Sequence, residues 1–301
     1  MSTNAKRAKS NPQAIEPDKR ILDTLGMWLA TTAMIHDITE DHVVQTLPAS
    51  RLMVEVRALC EDQEPGQSFL MGVLHEPQDG VQLARLRFAL PDGRTPVIFA
   101  PSTAPQAFEL CALGLHVLAA LRAPVFISLE AELAQFGDLK PPASLPGARA
   151  LKLLRKFDTK LAGDEIADAR YFDKLVRENA DALSRSTLDK QPKSDTSTDW
   201  LVISYGCTAH AAQEAVDAAR EKGLGVDHLV LQTLSPLPER VIAAAAMGKK
   251  FVVVPERNLG QLHPEIQRLC PSLPCVSVQN ATAPVRSGQV LEALLKFPRC
   301  C

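Results

Sequence analysis

The sequence predicts an α/β protein built from two parallel-sheet units, and two stretches and the composition carry that reading. In residues 201–262 the apolar runs LVIS, HLVLQTL and FVVVP alternate with helix-length segments, the pattern of a parallel sheet with right-handed crossovers. Residues 97–133 repeat the theme, with an apolar run, a long apolar helix and then PVFISL. Composition agrees with an ordered chain, since 301 residues with 46% hydrophobic and 23% charged content can fill two cores.

The chain divides into four pieces. Residues 1–19 are polar and locally basic and are expected to be a disordered tail. Residues 20–140 form a first α/β unit. Its start, ILDTLGMWLATTAMI, reads as a helix, and RLMVEVRALC, QSFLMGVL and QLARLRFAL read as three strands. Residues 141–198 form a connector in which ARALKLLRKF and DEIADARYFDKLVRENADALSR have helical spacing and LDKQPKSDTSTD is polar enough for a flexible linker. Residues 199–301 make the second α/β unit.

In parallel sheets ligands and partners meet the loops at the carboxyl ends of the strands. In the second unit those loops are YGCT, TLSPLP, PERNLGQ and NATAP. Cys207, between strand and helix, reads either as an activated thiol with His210 nearby or as a small filler of a close turn. Thr208 reads as a helix cap, and the same helix start could hold a phosphate or carboxylate. Glu256, Asn258 and Gln261 form the polar side of the third loop. They could bond a cofactor edge, a coenzyme A moiety or a partner's backbone, or simply shape a turn in which Gly260 takes a positive φ. Ser102 and Thr103 are placed to cap the helix that starts near Pro105.

Other polar residues are assigned to structure. His75 adjoins a PQDG turn, His116 lies within an apolar helix, and His36-Asp37 follows the first helix. Seven cysteines in a chain without a signal-peptide pattern do not suggest a disulfide framework. Cys270, Cys275, Cys300 and Cys301 could offer four thiolates to a metal, but lack the short CxxC knuckle, so no metal ligand is assigned. A net charge of −2 gives no nucleic-acid footprint. The segment LCALGLHVLAALRAPVFISL contains His116, Arg122 and Pro124 and reads as a buried helix feeding a strand, not a membrane span. The expected address is the cytoplasm.

The second unit resembles the transketolase-C-like domain of the alpha subunit of 2-oxoacid:ferredoxin oxidoreductases. The matching residues are Tyr205-Gly206-x-Thr208-Ala209, Thr233-Leu234-x-Pro236-x-Pro238, and the run from Val254 to Leu262, VPERNLGQL. Pro284-Val285 through Leu294-Leu295 fits that family's terminal helix. Residues 97–133 are similar to the end of the same subunit's pyrimidine-binding domain, and the two stretches together cover roughly half of the chain. The resemblance implies a complex that oxidatively decarboxylates a 2-oxoacid to an acyl-CoA and reduces ferredoxin. It implies thiamine diphosphate and Mg²⁺ mainly on a beta-type partner subunit, and iron–sulfur clusters on other, gamma- or delta-type subunits. It makes Ser102, Thr103, Gly206, Thr208, Glu256, Asn258 and Gln261 the cofactor-binding or interface candidates. No catalytic residue carries over, because residues 1–95 lack the family's Tyr-Pro-x-Thr-Pro loop, its pyrimidine-contacting Glu and its Thr/Ser-Gly-Pro-Gly segment. The first unit is therefore expected to be a reduced pyrimidine-binding-like domain, and the chain either a working alpha-type subunit or a non-catalytic scaffold. An independent small-molecule binder is a third reading.

Overall fold

The computed structural model describes residues 19–35, 38, 42–62, 68–75, 81, 83–91, 94–142, 165–191 and 198–296. The readings for the N-terminal tail, His36-Asp37, the PQDG turn, ARALKLLRKF and Cys300-Cys301 fall outside these residues.

Two five-stranded sheets organise the fold. The first contains β1 (His42–Pro48), β2 (Ser68–His75), β3 (Val97–Phe99), β4 (Val125–Glu130) and β8 (Thr233–Ser235), in the order β1-β2-β4-β3-β8. The second contains β5 (Ser186–Asp189), β6 (Trp200–Tyr205), β7 (Val226–Leu231), β9 (Phe251–Glu256) and β10 (Cys275–Gln279), in the order β10-β9-β6-β7-β5. Each sheet is parallel except for one antiparallel edge, β8 on β3 and β5 on β7. The predicted α/β class with parallel sheets therefore holds, and the antiparallel edges are additions to it.

β8 was read from the sequence as part of a turn. Its residues follow β7 of the second sheet, yet they complete the first: Ile98 pairs with Ser235 and Phe99 with Thr233. Side chains fasten the exchange, Ser235 Oγ donating to the Pro96 carbonyl at 2.7 Å and Arg87 Nη2 to the Leu234 carbonyl at 3.1 Å. β5 likewise replaces the first part of the expected linker, and its Asp189 is held by Arg220 at 2.8 Å.

Alternation along the strands sorts the side chains into three cores. Leu70, Leu74, Val125, Ile127 and Leu129 face α1 (Lys19–Ile35) and α4 (Ala104–Leu121). Val202, Val226 and Val253 face α7 (Thr208–Glu221) and α10 (Ser287–Lys296). The largest core is shared: Phe69, Met71, Val73 and Phe126 of the first sheet join Leu201, Ile203, Leu229, Val252 and Val254 of the second. Between the sheets lie α2 (Leu52–Asp62), α3 (Leu83–Arg87), α8 (Glu239–Ala246) and α9 (His263–Leu269). Each fully buried side chain of this kind is worth about 1.5–3 kcal/mol, so the halves are joined by the same kind of burial that stabilises each of them. The connector helices α5 (Glu165–Glu178) and α6 (Ala180–Leu183) complete the fold.

Two expected strands are helices. RLMVEVRALC forms most of α2, because Leu52 and Val56, four apart, are buried while Val54 between them is exposed. QLARLRFAL contains α3, which buries Leu83 and Leu86 and leaves Phe88 exposed. The first sheet's remaining strand is β1, HVVQTLP, which the sequence reading passed over. Helix α4 is long and apolar enough to cross a membrane by composition, but 67% of it is buried inside the fold, as the buried-helix reading expected.

Candidate functional site at the carboxyl ends of both sheets

The shared core ends in a polar cap where the carboxyl ends of β2, β4, β6 and β9 converge. Parallel pairing sets His75 beside Glu130, and the alternation turns both toward the second sheet. From the other side come Tyr205, at the end of β6, and Glu256 with Arg257 and Asn258, at the end of β9. Glu130, Tyr205, Glu256, Arg257 and Asn258 are all buried, between 0% and 4% exposed. Polar groups at such depth need partners.

Glu130 has one on each oxygen. Its Oε1 accepts from the Cys207 amide at 2.6 Å, and its Oε2 faces Arg257 Nη1 at 3.4 Å. Arg257 makes a closer contact with Glu132 Oε2, at 2.7 Å. Burial raises the Glu130 carboxyl to about 7; Arg257 and the Cys207 amide pull it down, and Glu132 pushes it further up. Burial, with Arg257 nearby, holds His75 down to about 3, so its ring is neutral, and Nε2 contacts Ser128 Oγ at 3.0 Å.

The third loop folds around its own polar residues. Glu256 accepts the amides of Leu262 at 2.7 Å and His263 at 2.8 Å, which anchors the start of α9. Asn258 Oδ1 accepts from Gly260 and Gln261 amides, and its Nδ2 donates to the Tyr205 hydroxyl at 2.6 Å. Gly260 has φ of +78°, as its turn role requires. Gln261 reaches across to α3, its Oε1 accepting from the Ala84 amide at 2.7 Å. Leu259 at the loop's tip is 79% exposed. Replacing Tyr205 by phenylalanine leaves the buried Asn258 amide without its acceptor and is expected to cost about 1–2 kcal/mol in urea unfolding.

The predicted residues of the first loop meet the same cap. Thr103 caps α4, its Oγ1 accepting from the Gln106 amide at 3.3 Å, while the Ser102 amide donates to Gln106 Oε1 at 2.9 Å. The Ser102 carbonyl contacts His210 Nε2 at 2.8 Å, and the His210 ring stacks on Phe136 at 3.6 Å. Ser102 is thereby tied to the first turn of α7. Thr208 opens α7 but does not cap it by its side chain; the N-cap is Cys207, without a side-chain bond, and the group seated at this helix start is the Glu130 carboxyl. Burial and then Glu130 push the Cys207 thiol well above its ordinary range, and with its amide bonded to Glu130 this residue suits the close-turn filler better than the nucleophile. Gly206 has φ of +57°, and a Cβ there would lie 2.1 Å from Glu130 Oε1. Sequence reasoning missed Glu130, Glu132, Arg257 and the Tyr205 hydroxyl. The available signal was the charged text SLEAEL directly after a strand and the arginine inside PERN.

Comparison with known proteins places this geometry. Residues 198–288 match the family model of the pyruvate:ferredoxin oxidoreductase core domain II. That segment is similar to this domain family. The matched stretch contains β6 through β10 and carries the YGCT and PERNLGQ loops. The 2-oxoglutarate synthase subunit KorA of Methanocaldococcus jannaschii is 33% identical over 100 residues, covering 33% of this chain and 27% of that protein. The same subunit of Methanothermobacter thermautotrophicus is 32% identical over 132 residues, covering 43% of this chain and 34% of that protein. The matched segment spans about a third of the length of these relatives. The fold of both halves is similar to solved structures. A 2-oxoglutarate:ferredoxin oxidoreductase from Magnetococcus marinus, solved with 2-oxoglutarate, coenzyme A and succinyl-CoA bound, superposes with a TM-score of 0.64 at 16% identity, over 84% of this chain and 52% of that one. A split-gene transketolase, an inactive beta4 tetramer, superposes with a TM-score of 0.54 at 15% identity, over 84% of this chain and 74% of that one. The chain is related to 2-oxoacid:ferredoxin oxidoreductase subunits, as its sequence suggested.

For thiamine diphosphate, which that relationship implies, the converging strand ends offer no unengaged buried carboxylate oxygen among the described residues. The buried carboxylates at the converging strand ends, Glu130 and Glu256, have both oxygens engaged by the protein's own donors. Among the described residues no group of three His, Cys, Asp or Glu side chains is arranged to hold its metal ion.

Proposed function

We propose that this chain is an alpha-type subunit of a thiamine-diphosphate-dependent 2-oxoacid:ferredoxin oxidoreductase complex, acting on 2-oxoglutarate or a close analogue. The complex would decarboxylate the acid oxidatively to its acyl-CoA and reduce ferredoxin. The observation that carries this reading is the match to core domain II, with its VPERNLGQL loop, in a chain whose curated relatives are 2-oxoglutarate synthase subunits.

In this reading the chain's own task is to dock and shape. The diphosphate and its Mg²⁺ sit mainly on a beta-type partner, and iron–sulfur clusters sit on further subunits. Glu256, Asn258 and Gln261 hold the third loop rigid, so that it presents Leu259 outward to the beta-type subunit. A pre-formed loop loses little freedom on binding, which favours affinity. Ser102, Thr103, Gly206 and Thr208 set the positions of the neighbouring loops on the same face.

The engagement of the buried carboxylates favours a second reading, a scaffold subunit that contributes no reacting group. Reconstitution separates the two. A working subunit requires 2-oxoglutarate-dependent ferredoxin reduction to vanish when this chain alone is left out of an otherwise associated complex. Turnover that persists without it, with the other subunits still bound together, selects the scaffold. Leu259→Asp, which alters only an exposed loop tip, is expected to lower retention of the beta-type subunit at least about tenfold while leaving the chain's melting temperature unchanged. Unchanged retention would remove this loop from the interface.

A further inference from the structure

Two carboxylates share one guanidinium at the junction of the halves. Glu132 takes Arg257 Nη1 at 2.7 Å, and Glu130 stands further off at 3.4 Å. The Glu130 and Arg257 side chains are each 3% exposed, whereas that of Glu132 is 19% exposed. With both carboxylates ionised this buried trio carries a net negative charge, and like charges at such separations resist joint ionisation. The more buried and more distant of the two is the member that best carries a proton. Neutral, Glu130 still accepts the Cys207 amide through its carbonyl oxygen, and so still fastens β4 to the start of α7.

We propose that Glu130 is a proton-sensitive junction between the two halves of the molecule. Holding its proton, it locks the first sheet to the first turn of α7; losing it, it leaves two carboxylates on one guanidinium, a net negative charge that loosens that turn. The inference does not depend on the enzyme reading, because it concerns a contact within this chain.

The groups facing Glu130 are Arg257 from the β9 loop, Glu132 from the turn after β4, Cys207 at the start of α7, Tyr205 from β6 and His75 from β2. Cys207 and Tyr205 are pushed up, Arg257 is pushed up by its carboxylates, and His75 is held down to about 3, so these four keep their charge across neutrality. Glu130 itself is raised from 4.5 to about 7, chiefly by burial. The closed junction therefore holds the proton more tightly than an open one. Its contribution is full below the open-state value and is lost as the pH rises through about 7.

Hydrogen exchange on the full chain between about pH 5.5 and 8.5, corrected for the intrinsic pH dependence of exchange, reads this directly. The peptide spanning residues 205–209 is expected to lose protection at least about tenfold across that range, while core peptides of β6 and β9 do not. Glu130→Gln, permanently neutral and still able to accept the Cys207 amide, is expected to stay protected throughout. Parallel loss in the wild type and this variant, or no loss in either, would overturn the proposal. If that variant does not fold, Glu132→Gln serves: with its competitor removed, Arg257 turns to Glu130, and the transition moves to lower pH. A transition left in place would equally overturn it.

Discussion

Replacing Arg257 by methionine is expected to destabilise the chain by about 3–5 kcal/mol at pH 8, the cost of stranding buried charge. Methionine keeps most of the apolar stem, so cavity formation adds little. What is lost is the sole described cation facing two carboxylates, Glu130 and Glu132. The deficit should shrink as the pH falls toward about 5. Without the guanidinium the Glu130 carboxyl rises further above its ordinary value and takes a proton, which removes the stranded charge. Urea unfolding at the two pH values checks this, with the slope held constant so that the midpoint reports stability. A deficit that is equal at both values would mean that Arg257 acts through packing and not through charge.

The second large effect is expected at Gly206. Alanine there must adopt φ of +57° and place its methyl 2.1 Å from Glu130 Oε1. The left-handed backbone costs about 1–2 kcal/mol, and driving the carboxylate off the Cys207 amide adds a similar amount, for a total of about 3 kcal/mol. The two parts separate in a double-mutant cycle. In a Glu130→Ala background the clash is absent, and the same glycine substitution should cost only the backbone share of about 1–2 kcal/mol. Equal costs in both backgrounds would show that the carboxylate is not what confines this turn.

Both effects run through Glu130, which the sequence hid, and the reason is distance along the chain. Arg257 and Glu130 are separated by 127 positions, and Cys207 and Glu130 by 77. Neither pair forms a local motif, so periodicity and spacing cannot find them. The loops themselves were legible: Gly206, Asn258 and Gly260 are turn residues flanked by apolar strands, and those positions alone foretell where the sheet ends lie. Thr103 was legible as a cap for the same local reason.

The misread elements fail in an instructive way. In RLMVEVRALC the alternate positions Leu52, Val54 and Val56 mimic a strand, and the β-branched valines strengthen the impression. The structure buries Leu52 and Val56 but leaves Val54 69% exposed, so the helical period wins. β1 escaped notice because four consecutive positions, Val43 to Thr46, are only half-buried and give no clear alternation. Its place is fixed instead by tertiary contact. Thr46 Oγ1 donates to the Leu22 carbonyl of α1, and a Cβ on Gly26 would meet Thr46 Oγ1 at 2.5 Å. β8 is the clearest case of a tertiary decision. Three residues within a Pro-flanked turn become a strand only because the edge of β3 lies beside them.

The exchange of β8 also bears on function. A subunit whose two halves share a core and a strand presents its loop face as one rigid surface, which suits docking in a larger assembly.

The most direct test of that assembly is to tag this chain, purify it from its native source in mild buffer, and identify and count the bound subunits by native mass spectrometry. The account predicts a stoichiometric beta-type thiamine-diphosphate-binding subunit, accompanied by iron–sulfur subunits. Recovery of the chain alone, at native expression level and correctly folded, would contradict it.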